Sequence, residues 1–395
     1  MDRDEYLEDI QIRILRVTDD RSNPKRLGNS MNTPSSAEQN SWNKTSTEFY
    51  VLSNGPTLLY DFDPKSMKAH ETRIVNMPGE PEFSYKRDNI LYGLSRTGLQ
   101  EYDTSKGRST EIDDASKCVQ LEPSDTAHSI SASADDNRLL TVLGPRQDDN
   151  YIVYIYDRTL GCRWYNTKTG QIGGKWGEKG NVTLPDRFTL HNARMSKSGK
   201  YIFMQRGGGQ GPGRWWLIWD VATLNLAECR HECPGHHVMG YSHILGGTGK
   251  MHPLELWLRP LDNLETHTDL VKGLEHIPLP WYDSHFSWNN VDPNDSTPAC
   301  FSTYRGVNPD VPGAPLYVTG PWENEIDCVE TDGKDSTVWR FAHTYSTAKN
   351  GFWSTPRGNV SQDGRFYMFT SDWQDQLGRT ENGKYRSDVF IVELR

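Results

Sequence analysis

HNARMSKSGKYIFMQ, residues 191–205, decides the fold. A short polar strand enters, Ser-Lys-Ser-Gly reverses it, and YIFMQ leaves with apolar side chains on alternate positions. That is a β-hairpin, because a tight turn needs Gly, Asp or Asn and a half-buried strand alternates with period two. The pattern returns as NSWNKTSTEFYVLS (40–53), HSISASADDNRLLTVL (128–143) and NVSQDGRFYMFTSDW (359–373). A hairpin unit recurring every ~40–50 residues is the signature of a β-propeller.

Working outward, inner strands fall near Ser41, Phe83, Ala127, His191, Gly240, His285 and Phe352, roughly 42 to 67 residues apart. The expected fold is all-β, a single seven-bladed propeller over 1–395, with blades starting at about 41, 83, 127, 191, 240, 285 and 352. The last blade is one strand short at DVFIVELR, while QIRILRVTD (11–19) alternates like a strand with no partner. Pairing the two closes the ring and removes open sheet edges. Residues 22–40 then read as a polar crossing loop. The glycine-rich GGGQGPG (207–213) lacks the Gly-Lys-Ser/Thr of a phosphate cradle and joins two strands, so it reads as a hairpin loop.

Composition excludes several classes. The formal net charge is −10 with no basic cluster, which argues against nucleic acid as a partner. Mean hydropathy is −0.75, and no window approaches the ~18 apolar residues of a membrane span. The expected state is a monomer. Six cysteines (118, 162, 229, 233, 300 and 328) form no CxxC pair. An even count fits up to three disulfides in an oxidising compartment, secreted or periplasmic, with pairing left open. The opening residues lack a signal-peptide pattern, so such a location requires a trimmed leader, and a cytoplasmic one stays open. Thirteen Trp and eighteen Tyr suit sheet packing and equally suit carbohydrate contact.

Function is expected where the inner strands begin, because those residues converge on one mouth of the ring. His128, His191, His236, His237, His243 and His285 all fall at or just before inner strands. Convergent imidazoles suit proton transfer or a transition metal. No cofactor is fixed by the sequence. Cys229-Arg-His231-Glu-Cys233 could hold zinc, although a disulfide or two thiols suits the spacing better. No Gly-x-Ser-x-Gly elbow appears, which disfavours a serine hydrolase.

The turn-and-strand pattern in MSKSGKYIFM and VSQDGRFYMFTSDW resembles the TolB-like propeller repeat, and the chain looks like the propeller-type polysaccharide lyases, oligogalacturonide lyases among them. That resemblance implies His, Tyr and Arg at the mouth of a seven-bladed ring and, with His236, His237 and His243 as the nearest counterpart of the family's metal ligands, a divalent cation, calcium or manganese. It points to β-elimination on a uronic-acid-containing oligo- or polysaccharide, which needs a cation on the C6 carboxylate, a base for the C5 proton and an acid for O4. The candidates are Arg194 or Arg357 for the cation, His285 or His191 for the base, and Tyr241 or His236 for the acid. Trp288 and Trp353 would stack on sugar rings, Asn192 and Asn289 would bind hydroxyls, and Trp42 and His128 complete the expected substrate contacts. The alternative is a non-catalytic propeller scaffold binding glycan or protein.

Overall fold

In a computed structural model, the structure describes residues 12–22, 28–53, 55–146, 150–176, 180–181, 189–207, 216–229, 236–247, 255–271, 282–289, 291–305, 324–334, 337–349 and 351–395. Seven antiparallel sheets form seven blades, each ordered from the ring axis outward. The innermost strands of blades two to seven are Glu82–Phe83, Thr126–Ala132, Thr189–Met195, His237–Met239, Tyr282–Ser287 and Asn359–Val360. In blade one, residues beside Trp42 take the inner position, since Trp42 pairs with Phe49 of the strand Glu48–Leu52. The chain is a seven-bladed β-propeller.

Ring closure follows the expectation from the sequence. The strand Ile14–Arg16 pairs antiparallel with Asp388–Glu393, in the register Ile14–Val392, Leu15–Ile391 and Arg16–Phe390. Two ion pairs fix it, Arg13 to Glu393 at 2.6 Å and Arg16 to Asp388 at 2.5 Å. The described part of the crossing loop differs from expectation. Met31, Thr33, Ala37 and Gln39 are buried, because the segment threads between blades seven and one, with Met31 N–H donating to Ser387 C=O at 2.8 Å. Its polar side chains serve as backbone partners inside the ring. The seventh inner strand also starts later than expected. Residues Gly351–Ser354 form a short helical turn, and Pro356, which has no N–H to donate, precedes the strand at Asn359.

The recurring turn has a physical cause. Ser133 Oγ donates to Asp135 at 2.6 Å and accepts the Arg138 N–H at 2.9 Å. Ser361 does the same with Asp363 and the Phe366 N–H. Local side-chain bonds of this kind replace ladder bonds where the chain reverses. Neighbouring hairpins are then latched: Asp136 accepts the Tyr85 N–H, and Asp295 accepts the Tyr241, Ser242 and His243 N–H groups.

Apolar faces meet between blades rather than in one central core. One cluster fills each gap, such as Trp42, Phe49, Phe366 and Ile391 between blades one and seven, or Phe203, Trp216, Ile244 and Trp257 between four and five. Disulfides add covalent ties: Cys118–Cys162 staples the segment after blade two to blade three, and Cys300–Cys328 crosses paired strands of blade six. Cys229 is disulfide-bonded as well. Among the described residues, no helix is long and apolar enough to cross a membrane.

Candidate functional site

The inner strands all begin at one end of the ring, and at that end blades five, six and seven bring a compact set of side chains together. His285 lies on the inner strand of blade six, facing blade seven. Its ring stacks on His236 at 4.4 Å on one side and on Tyr304 at 5.2 Å on the other, with Phe352 edge-on at 6.1 Å. Tyr304 reaches the stack because it pairs with Asp283 across the hairpin, two residues from His285 and therefore on the same sheet face. Register places the pair, not proximity in sequence.

Arg357 completes the set. It is wholly buried, and its guanidinium lies 4.3 Å from the Phe352 ring centroid and 4.7 Å from that of Trp353. One nitrogen, Nη2, donates to Trp353 C=O at 3.3 Å. Nε and Nη1 have no hydrogen-bond partner, and neither does His285 Nε2. Buried polar atoms are nearly always paired, so these three call for a partner that the chain itself does not supply. Above them, Phe352 and Trp353 are 47 % and 51 % exposed, two large aromatic faces presented to solvent.

Burial sets the charge state of the deeper imidazole. Burial, then His236 and Arg357, push the His285 imidazole well below its ordinary value, so it is neutral at neutral pH. His236 is half-buried and holds a different position: its Nδ1 lies 2.7 Å from Ser284 C=O, which makes that nitrogen the donor. Arg357 is pushed down to about 10 by burial, against the opposing influence of Glu80 and Tyr304, and stays a cation at neutral pH. His191 comes next round the ring. A bulge between Leu190 and Asn192 sets it out of register with its neighbour strand, and bulges re-aim side chains. Desolvation and nearby His236 lower its pKa as well.

Deeper on the axis sits a second polar layer that the residue pattern had not indicated. Glu38, from the threaded segment, places Oε1 3.3 Å from His237 Nε2. Burial raises its carboxyl to about 7 despite Arg194, Lys197 and the Met239 N–H. Arg194 donates to Gln39 Oε1 at 2.6 Å and Ile130 C=O at 2.9 Å, which bolts blade four to the threaded segment and to blade three. Lys197 bonds Tyr85 through its ammonium and lies over that ring. Burial depresses Lys197 and raises Glu82, each charge partly countering the other.

Several expected residues lie elsewhere. Tyr241 and His243 occupy the hairpin at the opposite end of blade five: Tyr241 Oη donates to Val291 C=O at 3.0 Å, and His243 Nδ1 contacts Asp295 at 3.0 Å. Ser242 Oγ reaches that same Nδ1 at 2.9 Å, so these three form a latch and not a nucleophile–base relay, in which serine and carboxylate take opposite ring nitrogens. Trp42 and Trp288 are core residues, 0 % and 1 % exposed, with their indole N–H groups donated to Asn359 and Thr297 C=O. Asn289 is buried and donates to Val360 C=O at 2.5 Å. His128 stands at the mouth end of blade three with Nε2 2.6 Å from Gly144 C=O, and Asn192 is half-buried beside His191.

His236, His237 and His243 do not converge: the first stacks on His285, the second packs 3.8 Å from Phe203, and the third is at the far hairpin. Among the described residues, no three His, Cys, Asp or Glu side chains are grouped to hold a metal ion. These histidines do not fit a metal centre. The glycine-rich loop lies outside the described residues, as do His231 and Cys233.

No family model matches the sequence, and no curated protein does. Among solved structures, an oligogalacturonate lyase in complex with manganese is similar over 97 % of this chain and 96 % of its own, with a TM-score of 0.60 and 10 % identity. The oligogalacturonate lyase of Vibrio parahaemolyticus is similar over 98 % and 95 %, with a TM-score of 0.61 and 9 % identity. At such identities the likeness is one of fold. The chain is a seven-bladed β-propeller resembling, end to end, the oligogalacturonate lyases.

Proposed function

We propose that the protein is a carbohydrate-active enzyme that cleaves a uronic-acid-containing glycan by β-elimination. The observation that carries this reading is the buried, partly unpaired guanidinium of Arg357 beside the neutral, unpaired Nε2 of His285. A carboxylate accepting from Arg357 would take a donor that the chain leaves unpaired, in a charge-assisted hydrogen bond. It would also withdraw charge from the sugar's C5 and make that proton acidic.

His285 is suited to be the base, because burial keeps its imidazole unprotonated. His236, stacked on it and more open to water, is suited to carry the proton that O4 needs on leaving. In the reaction the C5–H electrons form the C4–C5 double bond, the C4–O4 bond breaks, His285 gains a proton and His236 loses one. The two imidazoles thus differ in burial, one closed off and one open to water. Trp353 and Phe352 would cover the apolar face of the bound sugar. The disulfides suit an oxidising compartment, secreted or periplasmic.

The test is turnover of a panel of polyuronides and their oligomers, followed by ultraviolet absorbance of the unsaturated product. Activity on at least one, reduced at least ~100-fold by Arg357→Ala, is the expected outcome. Binding without any unsaturated product would sink the lyase reading in favour of a glycan-binding scaffold, which the exposed Phe352 and Trp353 also suit.

A further inference from the structure

The guanidinium of Arg357 is aimed from its backbone end. At its far end the group is held by two ring faces and by one long hydrogen bond, to Trp353 C=O at 3.3 Å. A ring face attracts a cation over a broad area, so these contacts hold the group without pointing Nε or Nη1. Direction comes from where the chain places the stem.

Hydroxyl groups hold the chain there. Arg357 precedes the inner strand of blade seven, whose ladder with Phe366–Ser371 starts at Asn359. Its C=O lies outside that ladder, and a buried carbonyl needs a donor. Thr33, from the threaded segment, supplies one: its Oγ1 donates to Arg357 C=O. A hydroxyl has one proton, so Thr33 must accept from Thr370, whose Oγ1 lies 2.9 Å away and itself accepts the Thr33 N–H at 2.9 Å. Thr33, Thr370 and Arg357 are all wholly buried. One residue back, Pro356 C=O accepts from Ser302 Oγ. Two residues on, Asn359 Nδ2 donates to Ala37 and Gln39 C=O at 2.7 and 2.9 Å. Gly358 leaves no slack between these ties, because a Cβ there would run into the Tyr367 ring.

We propose that Thr33 is a positioning residue of the Arg357 site: its hydroxyl fixes the Arg357 backbone so that an unpaired guanidinium nitrogen meets the carboxylate of the substrate. The inference rests on the reading of Arg357 as the carboxylate partner. It gives the threaded segment a share in specificity, since a misplacement of ~1 Å can cost ~100-fold in a reaction. Losing a buried hydroxyl for structural reasons alone weakens every ligand alike. Losing the aim of Arg357 weakens the carboxylate in particular.

The experiment is calorimetric titration of the full chain with galacturonate trimer and with the same trimer methyl-esterified at C6, which keeps the ring faces and removes the negative charge. The wild type is expected to bind the acid at least ~10-fold more tightly than the ester. Thr33→Val, alike in shape but without the hydroxyl, should lower that preference at least ~3-fold, and Thr33→Ser should keep it. Arg357→Ala should abolish it. If Thr33→Val does not fold, Thr370→Val, which takes away the donor to Thr33, should lower the preference in its place. A preference unchanged in the folded variant, or lost equally in Thr33→Ser and Thr33→Val, overturns the positioning role and leaves the Arg357 reading intact. A wild type that binds neither trimer or prefers neither, or a preference that survives Arg357→Ala, overturns both.

Discussion

At the scale of single residues, burial decides which charges can work. Glu38 has a carboxyl raised to about 7 from 4.5, chiefly by desolvation. Because the folded state holds that proton more tightly than the unfolded one, the stability it contributes is complete below pH ~4.5 and is lost as pH rises toward ~7. Glu38→Gln has no such loss. Relative to wild type, it should gain up to about 3 kcal/mol between pH 4 and pH 8, measurable by denaturant unfolding at the two pH values. His285 makes a second prediction, on rate. If it is the base, the acid limb of kcat/KM should fall well below the ordinary histidine value of 6.5. A limb at or above that value would exclude it. Residue identity alone did not reveal these roles. His285, His236 and Arg357 were legible as groups preceding inner strands, but Glu38 hid in a stretch rich in Ser, Asn and Pro that looked like surface loop. Trp42, Trp288 and Trp353 are alike as letters, and only the fold shows that two face the core and that the third, on the turn Gly351–Ser354, faces water.

At the scale of elements, the hairpin repeat was readable because its turn chemistry is local: Ser133 with Asp135 and Ser361 with Asp363 bond within the quoted motif. The closing strand was readable because an alternating segment without a partner must find one. Tyr304 was not, since it sits on a second strand and reaches the site only through register with the first. Tyr241 failed for a related reason. A propeller strand runs through the thickness of the ring, so a few residues carry the chain from one end to the other. The pairing of Cys118 with Cys162, which are 44 residues apart, likewise depends on which blades are neighbours. Replacing both by Ser should destabilise the protein by up to about 4 kcal/mol, on the loop-entropy account. Calorimetry should show a lower Tm with kcat on any accepted substrate unchanged, because the staple lies away from Arg357 and His285.

At the scale of the whole molecule, the ring joins seven inter-blade apolar clusters in a circle, so each blade is held on both flanks. Architecture of this kind follows from repeats and is legible in sequence, whereas function depends on the positions where the repeats differ, and those obey no common pattern. The threaded segment and the buried Glu38, Glu82, Arg194 and Lys197 occupy the axis below the mouth, which leaves the site at one end of the ring. Closure by Ile14–Arg16 on Asp388–Glu393 carries one more implication, and it concerns time. The first strand of the ring leaves the ribosome early and must wait for nearly the whole chain before its partner exists. Until then blade one lacks a flank, and the apolar faces of Leu15, Phe62 and Met31 stay uncovered. Early blades can fold as they emerge, but the ring becomes a ring only once Asp388–Glu393 has been made. A nascent chain of this design therefore has a long window of exposure to chaperones, and a chain cut short before Asp388 would leave the circle permanently open.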